Sequence, residues 1–230
     1  MSDTNGQRII ISLGGSLVVP DAVDAVFVSH FKKFISERIG RGYRFIIVVG
    51  GGKVCRRYQE ALEVVTTPSN DDKDWLGIAT TRLNAEFMRI AFGELADTTV
   101  VTDPTLPIMS EAPVVFAAGW KPGWSTDYDA VMLAKQFGAT KVINLSNIDY
   151  AYDKDPKQFP DAKRIEDISW RDFLELIPVD WDPGLSSPFD PVASRLAAES
   201  GIEVAVMNGK NIDNLQNYLD GKAFVGTRIK

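Results

Sequence analysis

At 230 residues, with 45% hydrophobic and 24% charged side chains, the chain has ordinary globular usage, which excludes a disordered or collagen-like protein and suits one large α/β domain or two lobes on a shared core. A net charge of −6 argues against general DNA or RNA binding, which needs a basic face, yet a few local cations and backbone N–H groups suffice for a small anion. One cysteine, Cys55, excludes an intrachain disulfide, and one histidine, His30, leaves a His-based zinc site short of ligands, so no metal-ligating side chains are expected.

The N-terminal residues Met1 to Arg8 are polar and carry no apolar run of the signal-peptide kind, and no apolar stretch is long enough to span a bilayer. The expectation is a cytoplasmic protein without a membrane partner.

In chain order, strands are predicted at Ile9–Leu13, Phe45–Val49, Thr98–Thr102, Val114–Ala118, Val142–Leu145 and Val204–Met207. Most are continuous apolar runs rather than alternating ones, the pattern of strands buried on both faces of a parallel sheet. Amphipathic segments lie between them: Ala22–Gly40, Lys53–Val65, Trp75–Leu95, Asp129–Phe137, Ser169–Ile177, Val192–Ser200 and Ile212–Leu219. Strand alternating with helix reads as βαβ units. The polar Thr66–Asp74 and the proline-broken Tyr150–Arg164 read as loops. Pro178, Pro183, Pro188 and Pro191 separate the helices on either side of them. A soft division near Gly138 makes residues 139–230 a second lobe of the one domain, with residues 1–138 the first.

Glycines stand where predicted strands end. Gly14-Gly15-Ser16 follows the first, Gly50-Gly51-Gly52 follows the second with Lys53 opening a helix, and Gly119 and Gly123 follow the fourth. Glycine lets backbone N–H groups approach an anion, a helix N-terminus favours negative charge, and ligands of open α/β sheets sit beyond the carboxyl ends of the strands. Three such loops in succession predict a phosphate-binding crevice. It is not a P-loop, because Ile47 stands where that motif needs glycine, nor a Rossmann dinucleotide loop, because Cys55 does.

These loops, with Asp74-Trp-Leu-Gly77 to Ala85, Asn147-Ile-Asp-Tyr-Ala-Tyr-Asp-Lys-Asp-Pro156, Phe189-Asp-Pro-Val-Ala193 and the closing Gly226-Thr-Arg-Ile229, resemble the amino-acid kinase superfamily and, within it, the uridylate kinases of the archaeal–bacterial type. The resemblance runs from Ile9 to Ile229. It implies a three-layer α/β/α sandwich with a mainly parallel central sheet. It implies transfer of the ATP γ-phosphoryl group to UMP in pyrimidine biosynthesis, with Mg²⁺ carried by the phosphates, by a homo-oligomer, hexamer or dimer. The first lobe would bind the acceptor and the second ATP.

The resemblance also implies site roles. Gly14 and Gly15 would cradle the transferring phosphoryl group, and Gly51, Gly52 and Arg56 would hold the UMP phosphate. Asp74 would accept from the ribose hydroxyls, Gly77 would let the nucleotide lie close, and Thr126 would bind near the acceptor. Asn147, Tyr152 and Asp155 would line the ATP site, and Asp190 would orient basic groups around the reacting phosphates. Simpler readings stand beside these: Asp74 and Asp190 as helix N-caps, Arg56 and Lys53 as solvated surface cations, His30 as a helix residue, Cys55 as a small filler. Trp120 and Trp124, two of the five tryptophans, would stack on a base or pack at a subunit interface.

The chain departs from the family pattern twice. Ser12 stands where the family usually carries lysine, and serine cannot cancel charge on a migrating phosphoryl; Lys53 is the first candidate to replace it. Tyr150 stands where glycine usually follows the aspartate at 149. The alternatives are a nucleotide-binding sensor or storage protein without turnover, or a kinase for another small phosphate acceptor.

Overall fold

The computed structural model describes residues 8–156, 158–179 and 187–230. Pro183 and Trp181 lie outside these. The chain opens with β1 (Arg8–Leu13), the short α1 (Gly15–Val18) and α2 (Ala25–Ile39), then β2 (Arg44–Val49), α3 (Gly52–Val65), α4 (Asn70–Phe92) and β3 (Val114–Ala117). It continues through α5 (Thr126–Gln136), β4 (Lys141–Ser146), β5 (Ala151–Tyr152), β6 (Arg164–Ile165), β7 (Asp167–Ile168) and α6 (Trp170–Leu176). It ends with α7 (Pro191–Glu199), β8 (Glu203–Asn208), α8 (Ile212–Leu219) and β9 (Thr227–Ile229).

A seven-stranded sheet in the order β3-β2-β1-β4-β8-β9-β7 forms the middle layer. Neighbours run parallel except β8 against β9. β2 shows why the apolar runs read as they do: Phe45, Ile46, Ile47, Val48 and Val49 are all fully buried. Phe45, Ile47 and Val49 pack into one core with α2, α4 and α8, while Ile46 and Val48 pack into the other with α5, α6 and α7. Each such side chain contributes about 1.5–3 kcal/mol on burial. The fold is therefore the expected three-layer α/β/α sandwich. The chain reverses direction across the sheet between β1 and its other neighbour β4, which creates a switch point at their carboxyl ends.

Three local expectations are corrected. Thr98–Thr102 is not a regular strand: its one bridge to β3 is Val101–Ala117, with a second bridge, Ala96–Val114, just before the segment. The Asp97 carboxylate accepts from the Thr99 N–H at 3.0 Å and its hydroxyl at 3.1 Å, which turns the chain out of the ladder. Thr66–Asp74 is not all loop, because a capping box starts α4 early: Ser69 Oγ accepts the Asp72 N–H and Asp72 accepts the Ser69 N–H. Asp74 is accordingly inside the helix and is not its N-cap. The span Tyr150–Arg164 holds the antiparallel pairing of β5 with β6 rather than irregular chain alone.

Candidate active site

The first two glycine loops interlock. Gly50 N–H donates to Leu13 O at 2.9 Å and Gly14 N–H to Leu145 O at 2.8 Å, so the ends of β1, β2 and β4 are tied together. A Cβ on Gly15 would lie 2.2 Å from Gly50 O and 2.3 Å from Gly52 N, and Gly52 has φ +70°. Only glycine fits this approach. Asn84, buried on α4, donates its amide to Gly50 O at 2.9 Å and Gly51 O at 3.2 Å, which fixes the second loop from behind.

Gly51, Gly52, Arg56, Asp74, Gly77 and Thr126 line a single cavity of about 190 Å³. Arg56 extends toward the first glycine loop and donates to Ser16 Oγ at 3.2 Å. One oxygen of Asp74, Oδ2, accepts the Gly123 N–H at 2.7 Å. Cys55 also lines this cavity; burial pushes its thiol up, consistent with a filler rather than a nucleophile. Lys53 lies apart: its ammonium pairs with Asp21 at 3.3 Å, which also binds Arg57, and the side chain is half-exposed.

A polar cluster at the β1–β4 switch point contains a residue that the sequence reading did not single out, Asp127. Ser12 on β1 and Asn144 on β4 are register partners. The Ser12 hydroxyl donates to Asp127 Oδ1 at 2.7 Å and the Asn144 amide donates to the same oxygen at 2.8 Å. The Asp190 N–H reaches Asp127 Oδ2 at 3.3 Å. Burial lifts the Asp127 carboxyl to about 6; the Ser12 hydrogen bond opposes the rise and the Asp190 charge adds to it. Asp190 is the N-cap of α7, accepting the Ala193 N–H at 2.6 Å, and burial raises its carboxyl as well. Its other oxygen, Oδ2, and Asn144 Oδ1 are buried without a hydrogen-bond partner. Such atoms mark a place that a ligand or its hydration completes.

The second lobe presents its candidates differently. Asn147 follows β4 and is exposed. Tyr152 lies in β5 opposite Arg164, and Asp155 is exposed in the following turn, where its carbonyl accepts from Gln158 and Phe159 N–H. Tyr150 replaces the family glycine without strain: no described non-glycine residue has positive φ, and its ring lies 5.2 Å from the Arg164 guanidinium.

The third glycine loop carries Trp120 and Trp124. Their rings are 6.2 Å apart, and Trp124 lies 4.1 Å from Tyr128. Asp129, buried beneath this loop, accepts the Trp120 N–H at 3.2 Å; burial raises its carboxyl well above the usual range. His30 is on α2, away from the glycine loops.

A model of the amino acid kinase family matches residues 7–208. A uridylate kinase of Methanospirillum hungatei is 35% identical over 228 residues, covering 96% of this chain and 94% of the relative. A uridylate kinase of Pyrococcus abyssi is 31% identical over 219 residues, covering 94% and 96%. The crystal structure of uridylate kinase from Archaeoglobus fulgidus superposes with a TM-score of 0.80 at 31% identity, covering 97% of this chain and 100% of that one. With the glycine loops, the switch-point cluster and the three-layer fold in place, this chain belongs to the amino acid kinase family.

Proposed function

We propose that the protein is a UMP kinase, transferring the γ-phosphoryl group of ATP to UMP to give UDP and ADP. The observation that carries the reading is the shared cavity of Gly51, Gly52, Arg56, Asp74, Gly77 and Thr126, which lies against the first glycine loop through the Arg56–Ser16 contact. Residues 1–138 would form the acceptor lobe and residues 139–230 the ATP lobe.

The chemistry asks for positioning and charge cancellation more than for covalent help. The UMP phosphate is already ionised at neutral pH, so its oxygen attacks without a general base. A bond forms from that oxygen to the γ-phosphorus, and the bond to the β–γ bridging oxygen breaks, its electron pair leaving with ADP. The Gly15 N–H cradles the migrating group beside Gly14, whose own N–H is taken by Leu145 O, and the N–H groups of Gly51 and Gly52 with the Arg56 guanidinium hold the acceptor phosphate. The Asp74 oxygen not used by Gly123 takes the ribose hydroxyls, Gly77 leaves room for them, and Thr126 donates beside the acceptor. Asn147, Tyr152 and Asp155 border ATP. Asp190 and Asp127 orient the polar groups between the two nucleotides. Lys53 would have to leave Asp21 to bring its charge to the phosphoryl group.

Among the described residues no group of three His, Cys, Asp or Glu side chains could hold a metal ion. The unpartnered Asn144 Oδ1 and Asp190 Oδ2 suit a hydrated Mg²⁺ that arrives on the nucleotide, and these two residues would hold its water shell. That ion supplies cancellation of charge on the β- and γ-phosphoryl oxygens.

Under this reading the protein serves pyrimidine biosynthesis as a cytoplasmic homo-oligomer, hexamer or dimer. Exposed Leu83 and Ile90, two turns apart on α4, support such an assembly, and sedimentation of the purified protein measures it.

One observation favours nucleotide binding without turnover: Ser12, at the usual lysine position, is neutral and engaged by Asp127. A product assay decides. The protein is incubated with ATP, Mg²⁺ and UMP, with CMP and isopentenyl phosphate in parallel. UDP well above the parallel products supports the kinase; UMP binding with no product from any acceptor supports the alternative.

A further inference from the structure

The loop between β3 and α5 is tied down along its length by side chains of two helices. Gly119 N–H donates to Thr81 Oγ1 at 2.9 Å, and Trp120 N–H donates to Asp129 Oδ2 at 3.2 Å. The Arg82 guanidinium donates to Trp120 O at 3.2 Å, and Gly123 N–H donates to Asp74 Oδ2 at 2.7 Å. Trp124 follows directly, half-buried, with its ring 4.1 Å from that of Tyr128. It is the one aromatic side chain among the residues lining the acceptor cavity.

A nucleoside monophosphate is built in the order phosphate, ribose, base. The cavity lining holds a match for each part: the cation Arg56 beside Gly52, the carboxylate Asp74, and the indole of Trp124, next in the chain to the Gly123 that Asp74 holds. We infer that Trp124 is the base-binding surface of the acceptor site, a specificity-determining residue that selects phosphates bearing a nucleobase over those without one. This rests on the UMP kinase reading and extends it. Stacking on an indole reads the π-face common to all bases and not their hydrogen-bonding edge. Trp124 therefore separates nucleotides from base-less sugar phosphates, and it leaves the ratio of UMP to CMP untouched. The Asp74–Gly123 tie makes Asp74 a positioning residue for the indole as well as a ribose contact.

The test uses the full chain and its Trp124→Ala and Trp124→Phe variants. KM is measured for UMP and CMP, Ki for ribose 5-phosphate as a competitor, and the UMP dissociation constant by calorimetry without ATP. Trp124→Ala should raise KM and Kd for UMP about 5- to 100-fold, raise CMP by the same factor, and leave ribose 5-phosphate within about twofold. Trp124→Phe should recover most of the loss. Equal weakening of UMP and ribose 5-phosphate, or no change in either, overturns the inference. If Trp124→Ala does not fold, Trp124→Phe carries the test through fluorescence: UMP should change tryptophan emission of the parent protein, and that change should be lost in the variant. A persisting change overturns the inference. A parent protein that neither binds UMP nor forms UDP overturns the kinase reading and this inference together; a parent that turns UMP over normally, with Trp124→Ala indistinguishable from it, overturns this inference alone.

Discussion

The side that the proposed function gives to the acceptor and the side it gives to ATP are built differently. On the acceptor side, backbone meets backbone: Gly15 packs on Gly50 and Gly52, Asn84 holds the second loop, and α4 ties down the third. On the side proposed to bind ATP, Asn147 stands exposed directly after β4, and Asp155 stands exposed beyond β5, which pairs with β6 in a separate two-stranded sheet. The first arrangement is organised before a ligand arrives, so little ordering opposes binding there; on the second, the exposed Asn147 must recover the ordering of its side chain from contacts with the nucleotide. Damage on the acceptor side should therefore cost both stability and turnover, and damage on the donor side mainly ATP affinity.

Gly15→Ala tests the acceptor side hardest. The new methyl meets backbone atoms of the second loop at 2.2 and 2.3 Å, and neither loop can move without breaking the ties to Leu13 and Leu145. A loss of about 3 kcal/mol or more is expected, seen as a fall in Tm of about 6–12 °C together with loss of UDP formation. A normal melt with normal kcat would mean the interlock is not rigid.

Asp127→Asn comes next, and its effect depends on pH. The folded-state value of about 6 lies above the unfolded value of 3.8, so the folded protein binds the proton more tightly between them. Stability from this group is full below the unfolded value and is lost as pH rises through about 6. The variant should therefore gain on the parent by about 2 kcal/mol between pH 4.5 and 7.5, measured by urea denaturation at a series of pH values. A gap that stays constant across that range would show that Asp127 titrates like an exposed aspartate.

Arg56→Ala should raise KM for UMP about 10- to 100-fold, the loss of one charged hydrogen-bonding partner to phosphate, with KM for ATP within about twofold. Equal changes in both constants would erase the distinction between the two sides. Tyr152→Ala should show the reverse, a rise of about 3- to 10-fold in KM for ATP with the melting temperature nearly unchanged, since its side chain is only half-buried.

The sheet was legible in the sequence because strands buried on both faces leave unbroken apolar runs, as at Phe45–Val49. The glycine loops were legible because their spacing relative to strand ends is local. Asp127 was missed although it closes the Gly119–Asp127 segment: its partner Ser12 is 115 residues away, and only the pairing of β1 with β4 brings Ser12 and Asn144 onto one carboxylate. A carboxylate at a helix start after the third glycine loop was the available signal. The early start of α4 had a local sign as well, serine at 69 followed three residues later by aspartate at 72. Thr98–Thr102 misled because its β-branched residues favour a strand, while the Asp97 turn takes the Thr99 N–H out of the ladder.

Lys53→Ala is expected to have the smallest effect and bears on how the protein manages without lysine at position 12. The lysine is half-exposed and shares Asp21 with Arg57, so in the folded protein its charge is already answered on the surface. An exposed pair of this kind contributes little, about 1 kcal/mol or less. Turnover by the alanine variant should stay within about threefold of the parent, in assays run with saturating UMP and ATP. In that case the acceptor side works through backbone donors, Arg56 and the nucleotide-borne metal, with Asp127 holding Ser12 and Asn144 in place. A fall in kcat of about 100-fold would mean that Lys53 leaves Asp21 during the reaction and supplies the cation itself. Asp21→Ala, which releases the lysine, would then be expected to leave kcat intact, because the ammonium would no longer need to break a pair to reach the phosphoryl group.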